Sequence, residues 1–98
     1  MEKSILMLRY ETAIRDLNNF HTGIQELNEP ISLGWDMELT RYNLDDASIV
    51  EISPKSPYYV GHYFTIDIDS LSDFVLEQFV VALEDEVRKL AAWWDNEE

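Results

Sequence analysis

Hydrophobic positions from residue 4 to residue 27 recur at alternating steps of four and three. Leu6, Tyr10, Ala13, Leu17, Phe20, Ile24 and Leu27 fall on one stripe of an α-helix, and Ile14 broadens it. Arg9, Glu11, Arg15, Asp16 and Asn19 fall elsewhere, as on a helix with one face against a core. Gly23 lies within this span, where a helix interior would lose about 1 kcal/mol. It reads either as an interior residue or as a left-handed cap after Thr22, with Pro30 as the outer limit.

At residue 33 the period becomes two. Leu33, Trp35, Met37 and Leu39 alternate with Gly34, Asp36, Glu38 and Thr40, which predicts a half-buried strand. Asn43 to Ala47 is a turn rich in Asn and Asp. Ser48 to Ile52 is a second short strand, and Pro54-Lys55-Ser56-Pro57 breaks the chain again. Tyr59 to Ile68 is a third, in which Phe64, Ile66 and Ile68 alternate with Thr65, Asp67 and Asp69. Ser70 and Asp73 resemble a capping box that opens a second helix over residues 71–94. Leu76, Val80, Leu83, Val87, Leu90 and Trp94 form its stripe, with Phe79 beside it. At about 1.5 Å per residue that helix would be roughly 36 Å long.

The predicted order is α-β-β-β-α. The short connections favour an antiparallel meander. One sheet face and two helix stripes must be buried, so the expected fold is α+β, a three-stranded antiparallel sheet with two long helices packed on one face. A length of 98 residues fits a single domain over 1–98. The same helical spacing also suits packing between two copies, which keeps a homodimer as an alternative.

Charge narrows the functional classes. Twenty acids face seven bases, a net charge of −13, against about 2–8 in magnitude for a small soluble domain. Such self-repulsion works against the compact state. Solubility is one explanation; complementarity to a positive partner is the other, and the one favoured here. Direct nucleic-acid binding is disfavoured, since it needs clustered Lys and Arg, and so is an anionic membrane surface. There is no cysteine for a disulfide or a thiolate metal site. The first apolar run, Ile5 to Leu8, is too short for a signal-peptide core. No stretch approaches the roughly 20 apolar residues of a membrane span, so a cytoplasmic location is expected.

The excess charge lies mainly in the sheet and the last helix. Asp36 with Glu38, and Asp67 with Asp69, would share strand faces at a spacing of roughly 6.5 Å. Glu77 and the run Glu84-Asp85-Glu86 lie along the second helix, and Asp95, Glu97 and Glu98 make an acidic end. Regular rows of carboxylates could imitate a phosphate backbone. Trp93 lies off the helical stripe and is expected at a partner interface; Tyr58, Tyr59 and Tyr63 could contribute similarly.

Catalytic motifs are scarce. Asp67-Ile68-Asp69 is a D-x-D, but strand alternation explains it and no glycine-rich phosphate loop precedes it. His21 and His62 have no ligand spacing, and there is no G-x-S-x-G elbow, P-loop or G-x-G-x-x-G. Neither enzyme activity, metal nor cofactor is expected.

A chain this short and acidic, ordered α-β-β-β-α, resembles the small acidic phage anti-defence proteins of the anti-CRISPR and anti-restriction type, including DNA mimics. The resemblance lies in element order and charge. It implies a non-catalytic inhibitor whose carboxylates Asp36, Glu38, Asp67, Asp69, Glu84, Asp85 and Glu86 would meet Arg and Lys of a nuclease, CRISPR effector or restriction enzyme. An immunity protein or antitoxin against a basic nuclease toxin, and a homodimeric adaptor module, are the alternatives.

Overall fold

The computed structural model describes residues 2–55 and 61–96. The element order is α1 (Lys3–Leu17), β1 (Ile24–Gly34), β2 (Met37–Asn43), β3 (Ile49–Pro54), β4 (Phe64–Asp67), a 3-10 turn (Ile68–Ser70) and α2 (Asp73–Asn96). The fold is α+β, with four antiparallel strands in the order β1-β2-β3-β4.

The extra strand replaces the expected second half of the first helix. Helix α1 ends at Leu17, where Asn18 donates its backbone N–H and its side-chain Nδ2 to the Ile14 carbonyl, at 3.0 and 3.1 Å. Asn is a poor helix former because its amide competes for backbone groups in this way. Gly23 does take the left-handed conformation (φ +75°). It sits at the entry to β1 rather than at a helix end, and its carbonyl accepts the Leu44 N–H at 2.9 Å. Ile24 and Leu27 continue the helical spacing only by coincidence.

The strand predicted from residue 33 is two strands joined by a hairpin. Gly34 pairs with Met37, and Trp35 and Asp36 form the two-residue turn between them. The turn before β3 lies where the pattern placed it, but the strand that follows is Ile49–Pro54 rather than Ser48–Ile52, and Pro54, expected to break the chain, is its last residue, opposite Met37. Of the third predicted strand, Phe64–Asp67 is formed, while Tyr59 and Val60 lie outside the described residues, as do Tyr58, Glu97 and Glu98. Helix α2 is capped by Ser72, not Ser70: the Ser72 hydroxyl accepts the Val75 N–H at 3.3 Å. Ser70 belongs to the 3-10 turn.

Two irregularities set which side chains face inward. Leu39 pairs with Ile52 but Arg41 with Glu51, so Thr40 is an extra residue on β2. This bulge turns both Leu39 and Tyr42 into the core, where they are buried. On β1, Leu27–Pro30 bulges between the Glu26–Arg41 and Ile31–Leu39 pairs. Pro30 is tolerated because β1 lies at the edge of the four described strands.

One core joins Ile31, Leu39, Tyr42 and Val50 of the sheet to Leu6, Tyr10, Ala13, Ile14 and Leu17 of α1 and Leu76, Phe79, Val80 and Leu83 of α2. Phe79 lies at its centre, with ring centroids 5.6 Å from Tyr10 and 6.3 Å from Tyr42. The Tyr10 hydroxyl donates to the Ala47 carbonyl, tying α1 to the β2–β3 turn. The two helices run parallel: Lys3 meets the turn before α2, Arg9 meets Glu84, and Phe20 meets Trp94. The shortest molecular dimension, 20 Å, corresponds to one sheet layer and one helix layer. Among the described residues, no helix covers the other sheet face, which is left open apart from Tyr63 lying over Arg41.

Candidate interaction surface

The open face carries the side chains that alternate with the core set. Arg41 is at its middle. Its guanidinium pairs with Glu26 at 2.9 Å and Glu51 at 3.7 Å, and lies 3.8 Å from the centroid of the Tyr63 ring. Glu38 lies between Ser32 and Ser53 on the same face, and Asp67 opposite Ile49 at the end of β4. Lys55 is turned onto the Ser32 hydroxyl at 2.6 Å.

The expected carboxylate rows are broken. Asp36 does not share a strand face with Glu38, because it is in the hairpin turn. Asp69 does not follow Asp67 along a strand, because the chain enters the 3-10 turn at Ile68; the Asp69 carbonyl accepts the Lys3 ammonium at 2.5 Å. The D-x-D is thereby split, and among the described residues no group of three or more His, Asp or Glu could hold a metal ion.

Glu84, Asp85 and Glu86 diverge, as successive helix residues must. Glu84 faces α1 and accepts Arg9 Nη2 at 2.5 Å and Nε at 3.1 Å. That hydrogen bond lowers the Glu84 carboxyl pKa and raises that of Arg9. Asp85 turns outward, takes Lys89 at 3.0 Å and Arg88 at 3.2 Å, and has its pKa lowered by them. Glu86 leans to β1 and accepts Asn28 Nδ2 at 3.1 Å. Glu77 is exposed on α2, close enough for its charge to act on Arg9. Glu84 and Asp85 are thus internally neutralised. Among the described residues, no ion pair engages Asp36, Glu38, Asp67, Asp69 or Glu77.

Trp93 is 56% exposed, as expected of an off-stripe residue, but Trp94 is equally exposed. Helix α2 outruns the core, and there the Trp94 ring meets Phe20 edge-on at 6.4 Å and Trp93 at 6.2 Å. Trp35 was expected on an inward strand position and is instead 97% exposed at the hairpin tip. Its signal was Gly34: a glycine inside an alternating run marks a turn or bulge as often as a strand. A groove of about 500 Å³ runs between the β1 bulge and α2, lined in part by Glu29, Pro30, Val81, Asp85 and Glu86. Phe74, 70% exposed, and Val81 form an apolar patch beside it. No described helix is long and apolar enough to cross a membrane. No protein-family model, curated protein or solved structure matches the chain.

Proposed function

We propose that this chain is a non-catalytic inhibitor that docks its open sheet face and hairpin against the basic nucleic-acid-binding surface of a partner protein, such as a nuclease, CRISPR effector or restriction enzyme. The observation that carries this reading is how the bases are used. Six of the seven bases are engaged within the chain: Arg9, Arg41, Arg88 and Lys89 by its carboxylates, Lys3 by backbone carbonyls and Lys55 by Ser32, while Arg15 is exposed on α1. Asp36, Glu38 and Asp67 keep their charge for a partner. The surface potential is therefore negative, which steers a basic partner and speeds its association. The broken rows mean that mimicry of DNA would rest on this field rather than on regular phosphate-like spacing.

The test is affinity capture from lysate of the producing cells at low salt, read by mass spectrometry. The captured partner's nucleic-acid activity is then measured with the wild-type chain and with an Asp36→Lys/Glu38→Lys/Asp67→Lys variant. One basic nucleic-acid enzyme, inhibited by the wild type and not by the folded variant, is the expected result. Its binding should also weaken from about 50 mM to about 500 mM salt. Unchanged inhibition by the variant, or binding indifferent to salt, would overturn the proposal. A captured toxin nuclease encoded beside this chain would make it an immunity protein.

A further inference from the structure

We infer that Trp35 is an anchor that stacks on arginine side chains of the partner. The inference rests on the proposed docking of an acidic surface and adds the residue and chemistry at its centre. Both central residues of the hairpin have left-handed backbones, Trp35 at φ +54° and Asp36 at φ +59°. A two-residue hairpin turn of this kind normally uses Asn and Gly, because a bulky side chain at positive φ is strained. The indole is 97% exposed, so it returns almost nothing to the folded core. Strain and an unburied indole therefore coincide at one residue. Asn would remove both, so the compensation for Trp must come from outside the chain.

The tip is also held in place. The Asp36 carbonyl accepts the Lys55 N–H at 2.8 Å, and the Lys55 ammonium reaches back to Ser32 at 2.6 Å. A tethered tip loses little freedom on binding. The chemistry of the occupant follows from the charges. Trp has the best aromatic face for a cation, and Arg is the more frequent cation on it. Asp36 follows directly, and its carboxylate can accept guanidinium N–H groups. Among the described residues no base pairs with that carboxylate. An arginine-rich protein surface satisfies both groups at once.

The experiment titrates the full chain with two synthetic peptides of equal charge, one arginine-rich and one lysine-rich. Affinity is read by calorimetry, and each indole N–H by NMR, with Trp35 assigned through Trp35→Ala. The arginine peptide should bind more tightly and shift the Trp35 resonance. Trp35→Ala should weaken it about tenfold, and Trp35→Phe should recover part of the loss. An unmoved Trp35 resonance, or equal affinity for Trp35→Ala, overturns the anchor while leaving acidic docking intact. Failure of both peptides to bind at low salt overturns the anchor and the docking reading together.

Discussion

Trp35 and Tyr10 show how differently a large aromatic can be used within one chain. Tyr10 is 1% exposed, packs on Phe79 and gives its hydroxyl to Ala47. Trp35 touches water on nearly every side and strains its own backbone. Replacing Trp35 with Asn should raise folding stability by about 1 kcal/mol, because Asn tolerates the left-handed region. The urea midpoint measures this, and a fall would show that the turn is not strained. Periodicity predicted the burial of Tyr10, but it placed Trp35 inward as well. Alternation cannot distinguish a strand that continues from one that turns back at the same residue.

Among the elements, the helices were the most legible. The α1 stripe from Leu6 to Leu17 and the α2 stripe from Leu76 to Leu83 are buried as predicted. Their ends were less so. The α1 spacing ran on through Ile24 and Leu27 into what is strand β1, although Asn18-Asn19 and Gly23 carried the stop signal. At the start of α2, two serines compete in the sequence for the cap, and only the folded chain brings Ser72 to the Val75 N–H. Ser72→Ala should therefore cost about 1 kcal/mol, and Ser70→Ala much less. Thermal or urea unfolding of the two variants compares them; equal losses would remove the distinction. The bulges at Thr40 and Leu27–Pro30 left no sequence signal beyond Pro30, because they depend on the register of the neighbouring strand.

For the molecule as a whole, the core is built around buried phenols as well as aliphatic chains. Burial pushes the Tyr42 hydroxyl up to about 12 and raises that of Tyr10 still further, with Glu86 and Asp46 adding to the two shifts. In the unfolded chain both would ionise near pH 10. The neutral form is favoured in the fold, so this contribution is complete below about pH 10 and is lost as the pH rises toward the folded values. Alkaline titration should unfold the protein cooperatively above about pH 10, with the last of the phenolate absorbance, that of Tyr10 and Tyr42, appearing together with the loss of helix signal. Phenolate formation by all tyrosines before any unfolding would contradict the burial. On the acid side, the lowered pKa values of Glu84 and Asp85 contribute stability at neutral pH that fades as the pH falls through their folded values.

By itself the sequence determined the α+β class, the inward stripes of the two helices, the turn at Asn43–Ala47 and the net charge of −13. These depend on composition or on neighbours a few residues apart, and local geometry fixes which of those share a face. Tertiary structure decided the fourth strand, the exposure of Trp35 and the sorting of carboxylates into paired and unpaired. Arg9 and Glu84 are 75 positions apart, and Asn28 and Glu86 are 58 apart. Such partners meet only after helices and sheet have packed, and no local period encodes that meeting.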